Sequence, residues 1–249
     1  MLLKDRVALV TGAGSGIGAG VAELFARHGA RVYSIDVNGA AAEAAAAAIR
    51  SEGGFAAAFA ADVRNSEMLK AVVDDAMARF GRIDVLINNA GIYPRHSFFE
   101  MTEQQWDEMQ DVNLKGMFRL AKLVLPHMAA QRSGHVVNIS SVTFFVAPKN
   151  LSHYIASKGG VIGLTRALAR EMGEYDVHVN CITPGAVETE GEKLLNPPKE
   201  QIDAIVGLQS LKRRILPLDI ARVCLFLSSE LSDGMTGQTL NVDGGWVMY

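Results

Sequence analysis

Short runs of β-branched and apolar residues alternate with longer segments of helical spacing along the chain. This pattern is typical of a parallel sheet whose strands are joined by helices. The predicted strands are 7–10, 31–35, 55–61, 83–87, 136–139, 177–182 and 239–242. The predicted helices span 17 to about 29, 39–49, 68–80, 152–172 and 217–227. Thr102, with Gln105 three residues later, predicts a capping box that opens one more helix. No linker, repeat or change of composition divides the sequence, which predicts one doubly wound α/β domain over residues 1–249.

The composition is that of a globular chain that needs no covalent or metal staple. With 249 residues, 49% of them hydrophobic and 20% charged, the chain can bury a core and is not disordered. A formal net charge of −3 argues against nucleic acid or an anionic membrane as a partner. The two cysteines, Cys181 and Cys224, form no metal-ligand spacing, which predicts no metal site and no disulfide. No apolar run reaches the length of a membrane span, and we expect a cytoplasmic protein.

The first predicted strand runs into a glycine-rich turn that opens an amphipathic helix. Glycines let the backbone turn tightly and approach a pyrophosphate, and the helix N-terminus offers free N–H groups with a partial positive charge. This order of strand, turn and helix predicts a dinucleotide site. Its residues are Gly12, Ser15, Gly16, Ile17 and Gly18.

Asp36 follows the second predicted strand, 18 residues after Gly18. A carboxylate at this point can accept hydrogen bonds from both hydroxyls of the adenosine ribose, and it repels a 2′-phosphate. Ser15 and Val37 are neutral where an NADP site would need a basic residue. The position therefore favours NAD as cofactor, although an aspartate followed by Val37, Asn38 and glycine is also good turn chemistry.

Tyr154 and Lys158 are four residues apart in a predicted helix and so share one face. Free tyrosine has a pKa near 10, and a neighbouring ammonium lowers that pKa by stabilising the phenolate, which makes a usable general acid/base. Ser141 lies thirteen residues before Tyr154, just past the fifth strand, where its hydroxyl can bond a substrate oxygen. The three residues predict chemistry on an alcohol or a carbonyl.

Further motifs continue this pattern to the C-terminus: Asp62-Val63, Asn88-Asn89-Ala90-Gly91, Asn113, Pro184-Gly185, Thr236-Gly237 and Asp243-Gly244-Gly245. Together with the glycine turn, Ser141 and Tyr154-x-x-x-Lys158, they cover essentially the whole chain. The sequence resembles a short-chain dehydrogenase/reductase of the common type with about 250 residues. The resemblance implies a single Rossmann-type domain, with helices on both faces of a parallel sheet of about seven strands and a substrate lid at 186–215.

The resemblance implies a catalytic role for four residues. Tyr154 would exchange a proton with the substrate oxygen, and Lys158 would lower the pKa of Tyr154 and bind the nicotinamide ribose. Ser141 would orient and polarise the alcohol or carbonyl, and Asn113 would hold a water that links Lys158 to solvent. Ser140 precedes Ser141, and the thirteen-residue spacing to Tyr154 favours Ser141 as the acting serine.

The resemblance also implies the remaining cofactor contacts. Asp62 and Val63 would contact adenine, while Tyr154 and Lys158 would face the nicotinamide ribose. The floor of the cofactor site and the contacts near the nicotinamide carboxamide would come from Asn89, Ala90, Gly91, Pro184, Gly185, Val187 and Thr189.

The substrate is the open question at this level. Tyr93, Phe144 and Phe145 can wall an apolar pocket for an aromatic or cyclic secondary alcohol, and they fit core or interface packing equally well. His153 is a further candidate substrate ligand. We predict an NAD-dependent oxidoreductase acting on a secondary alcohol or ketone. The alternatives are an NADPH-dependent 3-oxoacyl-thioester reductase and, from another class, a non-catalytic cofactor-binding scaffold or sensor.

The resemblance implies assembly as well. Helix 154–172 carries more apolar residues than one buried stripe requires. Members of the family pair this helix and the preceding one across a dimer axis, and they form tetramers through the C-terminal segment, here 240–249. We expect a homotetramer, while packing within one subunit is the other explanation of these apolar residues.

Overall fold

The computed structural model describes residues 1–195 and 198–248. Residues 196 and 197 of the predicted lid, and Tyr249 of the predicted assembly segment, lie outside the described part. Seven parallel strands form one sheet in the order β3-β2-β1-β4-β5-β6-β7. The strands are β1 Val7–Thr11, β2 Arg31–Asp36, β3 Phe55–Ala60, β4 Val85–Asn88, β5 Gly134–Ile139, β6 Val177–Pro184 and β7 Thr239–Val242. The predicted seven-stranded doubly wound fold is confirmed.

Helices connect successive strands and cover both faces of the sheet. They are α1 Gly16–Arg27, α2 Gly39–Ser51, α3 Ser66–Phe80, α4 Glu103–Gln110, α5 Gly116–Gln131, α6 Thr143–Val146, α7 Ser152–Met172, α8 Glu190–Leu195, α9 Lys199–Leu208 and α10 Pro217–Leu227. The capping box predicted at Thr102 and Gln105 is present and starts α4. A π-helical turn, Asp111–Lys115, joins α4 to α5.

The sheet is buried because hydrophobic layers pack on both of its faces. One layer joins β1 to α1 and α10 through residues such as Val21, Phe25 and Ile220. The opposite layer joins the sheet to α3 and α5 through residues such as Leu69 and Leu120. All residues of β1, β4 and β5 are buried, as expected of central strands in a parallel sheet.

The strand order reverses beside β1. The chain runs outward from β1 to β2 and β3, and then returns to place β4 on the other side of β1. Ligands of open α/β sheets bind at such a switch point, outside the carboxyl ends of the strands. The turns after β1 and β4 both lie at this edge. Among the described helices, none has the length and hydrophobicity needed to cross a bilayer.

Candidate active site

The turn after β1 is a tight glycine cradle. Gly12 has a φ of +64°, in the left-handed region that favours glycine. A Cβ at Gly18 would lie 2.1 Å from the Gly12 carbonyl oxygen, so α1 can approach the turn only without a side chain there. Ser15 precedes α1 without capping it by its side chain, which leaves the first N–H groups of the helix for an anion.

Hydrogen bonds tie this cradle to the end of β4. The Thr11 hydroxyl oxygen accepts hydrogen bonds from the backbone N–H groups of Asn89, at 2.9 Å, and Ala90, at 3.0 Å. The Asn89 side-chain amide donates in turn to the carbonyl oxygens of Thr11, at 2.9 Å, and Gly12, at 3.3 Å. The residues predicted to form the cofactor floor are thus joined to the glycine turn across two neighbouring strands.

Asp36 ends β2 and faces the same turn. Its Oδ2 accepts a hydrogen bond from the Gly14 N–H at 2.9 Å, and its Oδ1 accepts one from the Asn38 N–H at 2.9 Å. Each carboxylate oxygen has two lone pairs, so each keeps capacity for one more donor. Asp36 therefore acts as a turn residue and is still able to accept two ribose hydroxyls.

The next predicted pair, Asp62 and Val63, follows β3. The Asp62 carboxylate is engaged by Arg64, whose Nη2 lies 2.7 Å from Oδ2, and this hydrogen bond holds the pKa of Asp62 below its usual value. Val63 packs against the site of Gly116, where a Cβ would lie 2.9 Å from a Val63 methyl. Contact of these two residues with adenine stays a prediction.

The predicted catalytic residues meet at the ends of β5 and α7. Ser141 is the neighbouring side chain that lowers the pKa of Tyr154. Lys158 is buried, with Nζ 5.6 Å from the centroid of the Tyr154 ring. The Ser140 hydroxyl instead donates to the backbone carbonyl of Lys158 at 2.8 Å, which ties the end of β5 to α7. This contact gives Ser140 a structural function and leaves Ser141 as the serine beside Tyr154.

Burial dominates the pKa of Tyr154. Desolvation of the phenol raises this pKa to about 12, and the interaction with Ser141 opposes the rise. That Lys158 lowers the pKa of Tyr154 stays a prediction. Lys158 donates from Nζ to the Ile139 carbonyl oxygen at 2.9 Å, and burial lowers the pKa of Lys158 to about 8. Tyr154 and Lys158 lie side by side, as their spacing predicts, but the Lys158 ammonium donates to the Ile139 backbone carbonyl.

Asn113 lies in the π-helical turn, and the residues around it complete the floor of the site. Its side chain accepts a hydrogen bond from the Ile92 N–H at 2.8 Å and donates to the Ile92 carbonyl at 2.9 Å. A Cβ at Gly91 would lie 3.2 Å from Asn113 Oδ1 and 3.6 Å from Lys158 Nζ. The turn after β4 is therefore held against Lys158, and only a small residue fits at Gly91.

The segment after β6 reaches across to the glycine turn. Gly185 donates its N–H to the Val242 carbonyl at 3.0 Å, and Val187 forms a β-bridge with Ile215. A Cβ at Gly16 would meet the Thr189 side chain at 3.2 Å, so the start of the predicted lid lies on the cradle. Pro184 and Thr189 thereby flank the cleft between β6 and α1.

Helix α8 of the predicted lid is held by two further contacts. Arg214 donates from Nη2 to the Glu192 carboxylate, and both side chains are largely buried. A Cβ at Gly191 would lie 3.1 Å from Tyr93 Oη, which places the Tyr93 hydroxyl against α8. Tyr93 is otherwise half exposed, so its position agrees with that of a residue at the edge of a substrate cleft.

The other predicted substrate residues differ in their surroundings. Phe145 packs in a hydrophobic cluster with Met117 and Val161, which favours the core interpretation for this residue. Phe144 is partly exposed and lies over Gly159 of α7, where a Cβ would be 2.7 Å from its ring. His153 is fully buried, with its ring centroid 5.4 Å from that of His96. Substrate contact by these three residues stays a prediction.

Comparison with known proteins identifies the family. A family model described as enoyl-(acyl carrier protein) reductase matches residues 12–247. The chain is 41% identical over 244 residues to a probable galactose dehydrogenase of Rhizobium meliloti (strain 1021), with 98% of this chain and 95% of the relative covered. It is 37% identical over 248 residues to a 3-oxoacyl-(acyl-carrier-protein) reductase of Thermotoga maritima, and the whole of both chains is covered. The solved structure of levodione reductase superposes with a TM-score of 0.92 at 35% identity, covering 97% of each chain.

The chain belongs to the short-chain dehydrogenase/reductase family. It is therefore an oxidoreductase with a small-molecule substrate and a nicotinamide cofactor, NAD or NADP. The residues present fit such a cofactor, because the cradle excludes a Cβ at Gly18 and Asp36 keeps free acceptor capacity.

Sequence reasoning missed two contacts of this site. Thr143 donates to Ser141, and Arg214 pairs with Glu192 on α8. Two hydroxyl residues separated by one position are common in sequences, and a pair 22 residues apart has no periodic signal. Neither contact could be recognised before the turns that create it were known.

Proposed function

We propose that the chain is an NAD-dependent dehydrogenase that interconverts a secondary alcohol, cyclic or aromatic, and its ketone. The observation that carries this proposal is the grouping of Tyr154, Ser141 and buried Lys158 next to a glycine cradle at the switch point of the sheet. Proton exchange at a substrate oxygen and a bound dinucleotide are the two requirements of this reaction class.

A bound nicotinamide cofactor would supply the hydride acceptor for alcohol oxidation. The Tyr154 phenolate takes the hydroxyl proton, so that a C–H and an O–H bond break and a C=O bond forms. Ser141 donates a hydrogen bond to the substrate oxygen and keeps it near Tyr154 Oη. Tyr154 then releases the proton to solvent by way of Lys158. Carbonyl reduction runs the same steps backwards, with Tyr154 as the acid.

Asp36 supports NAD over NADP. Its two oxygens keep acceptor capacity for the ribose hydroxyls, and its negative charge opposes a 2′-phosphate. Ser15 and the exposed Val37 supply no positive charge at this position. The remaining contacts would come from Lys158 on the nicotinamide ribose and from Thr189 beside the carboxamide.

The relatives support two substrate classes. The probable galactose dehydrogenase supports a cyclic, hydroxylated substrate. Relatives that reduce 3-oxoacyl thioesters favour the second candidate, an NADPH-dependent reductase of such thioesters. Asp36 and Ser15 argue for the first candidate. A non-catalytic scaffold is the third hypothesis, against which the set of Asn113, Ser141, Tyr154 and Lys158 argues.

The test follows nicotinamide absorbance with D-galactose, cyclohexanol and 1-phenylethanol, each offered with NAD and with NADP. An acetoacetyl thioester is offered with NADH and with NADPH. We expect turnover of an alcohol with NAD, abolished in Tyr154→Phe and retained in Tyr175→Phe, a matched substitution at the end of α7. NADPH-linked turnover of the thioester alone would support the second candidate. NADH binding without any turnover would support the scaffold.

We also propose that the protein is a cytoplasmic homotetramer. The groove between α5 and α7 is lined by Phe118, Leu125, Leu168 and Met172, and Phe118 is half exposed. A second copy of the same two helices would cover this groove and bury its apolar side chains. Met248, in the C-terminal segment, is also largely exposed and supports a second interface there.

A further inference from the structure

Two contacts from Thr143 hold the Ser141 hydroxyl. The Thr143 backbone N–H lies 3.2 Å from Ser141 Oγ, and the Thr143 hydroxyl oxygen lies 2.9 Å from the same atom. Both contacts come from one residue because the chain turns at once after β5. Val142 donates its N–H to the Pro184 carbonyl at 3.0 Å, and Phe144 donates to the Ser141 carbonyl at 3.2 Å, which starts α6.

A hydroxyl group has one proton to donate and two lone pairs that accept. A backbone N–H can only donate, so the Thr143 N–H occupies one lone pair of Ser141. When the Thr143 hydroxyl also donates, the second lone pair is occupied. Ser141 then has only its own proton left, and it must act as a donor.

We propose that Thr143 is a positioning residue that makes Ser141 an obligate hydrogen-bond donor, towards Tyr154 Oη before substrate binds and towards the substrate oxygen afterwards. This inference rests on the oxidoreductase function proposed above. It assigns a direction to the serine, because a donor stabilises negative charge on a phenolate or on a developing alkoxide. A Ser141 that accepted from Tyr154 would stabilise the phenol instead and oppose its loss of a proton.

The surroundings of Tyr154 leave Ser141 as the group that opposes desolvation. Desolvation and, to a smaller extent, the charge of Tyr93 raise the pKa of Tyr154, and the interaction with Ser141 lowers it. Lys158 faces the ring of Tyr154 and donates to the Ile139 carbonyl. Thr143 contributes no charge to this site and acts only through the orientation of Ser141.

The test compares Thr143→Val, which keeps the shape of the side chain but loses its hydroxyl, with Thr143→Ser, which keeps the hydroxyl. The first readout needs no substrate. NMR of isotopically labelled tyrosine, in the protein saturated with NAD and without it, follows ionisation of Tyr154, whose signal is assigned by its loss in Tyr154→Phe. We expect ionisation of Tyr154 to move up by about one pH unit in Thr143→Val, the effect of one lost hydrogen bond, and by much less in Thr143→Ser.

The second readout is kinetic and uses D-galactose and cyclohexanol with NAD. We expect kcat to fall about tenfold in Thr143→Val, with KM and NADH affinity within about twofold of wild type, and Thr143→Ser to restore kcat. Thermal unfolding identifies loss of folding, which lowers NADH binding together with kcat. Unchanged Tyr154 ionisation and unchanged kcat in Thr143→Val would overturn the inference and leave the proposed function intact. If the wild-type protein shows no turnover but Thr143→Val still shifts the ionisation of Tyr154, the proposed function would be refuted and the positioning role of Thr143 would stand.

Discussion

Asp36 should decide which nicotinamide cofactor the chain binds. Its oxygens accept hydrogen bonds from Gly14 and Asn38 and keep one acceptor site each for the ribose hydroxyls. A hydrogen bond to a charged acceptor contributes about 1.5–3 kcal/mol. Two unit charges about 4 Å apart repel by about 1 kcal/mol in water, which is what NADPH would experience through its 2′-phosphate. Removing the carboxylate should change the preference for NADH over NADPH by about 3 kcal/mol, or roughly a hundredfold.

The assay measures binding of NADH and NADPH to Asp36→Ala by nicotinamide fluorescence and requires no substrate. Loss of the contacts to Gly14 and Asn38 disturbs the cradle, but this damage affects both cofactors and cancels in the ratio of the two dissociation constants. Asn38→Ala is the matched control, because it removes the side chain that caps α2 in the same turn, where Asn38 Oδ1 accepts from the Ala41 N–H at 3.1 Å. We expect this control to keep the preference for NADH.

Two results would refute the reasoning on Asp36. If Asp36→Ala weakens the binding of both cofactors equally, the carboxylate only stabilises the turn and does not bind the ribose hydroxyls. If the wild-type protein already prefers NADPH, the positive charge that accepts the 2′-phosphate must come from elsewhere in the cleft. The second result would also favour the thioester reductase over the alcohol dehydrogenase.

Three further predictions concern pH and assembly. Because desolvation raises the pKa of Tyr154 to about 12, alcohol oxidation (kcat/KM), which uses the phenolate, should rise between about pH 6 and pH 9, while carbonyl reduction, which uses the phenol, should stay flat. An oxidation rate that does not change over this range would exclude Tyr154 as the titrating group. Burial lowers the pKa of His135 from 6.5 to about 4, so the unfolded chain binds a proton first as pH falls, and stability present above about pH 6.5 is lost towards pH 4. Between these two pH values, the free energy of unfolding measured in urea should fall by about 2–3 kcal/mol more in the wild-type protein than in His135→Gln. Equal decreases in the two proteins would contradict a neutral buried His135. Light scattering should give the mass of four subunits, reduced in Phe118→Asp, and a wild-type mass of one or two subunits would refute the tetramer.

The strands and the glycine turn were predictable because their causes are local. Apolar β-branched runs define the central strands, and a Cβ at Gly18 is excluded by backbone only six residues away. Strand ends were less predictable because distant pairing decides them. Strand β6 continues to Pro184, since Pro184 pairs with Val242 of β7. The predicted start of β4 at Ile83 was two residues early, because the Ile83 N–H and carbonyl both bond the Gln131 side chain.

The proximity of Tyr154 and Lys158 was predictable, but their electrostatics were not. A spacing of four residues places Tyr154 and Lys158 on one helical face. It does not say where an ammonium points or how much water remains around a phenol. Those quantities depend on the Ile139 carbonyl, which binds Lys158, and on the packing around Tyr154. The contact between Thr143 and Ser141 was likewise hidden, since it depends on the turn that follows β5.

The two shifted pKa values have one consequence for the direction of catalysis. Desolvation raises the pKa of Tyr154 and lowers that of Lys158, so both side chains are driven towards their neutral forms. Under the proposed function, the neutral phenol of Tyr154 would be the acid that gives a proton to a carbonyl. Oxidation of an alcohol needs the phenolate, which is favoured by the positive charge that an oxidised nicotinamide carries and a reduced one lacks. The protonation state of Tyr154 should therefore follow the redox state of the cofactor, so that one buried site supplies an acid for reduction and a base for oxidation.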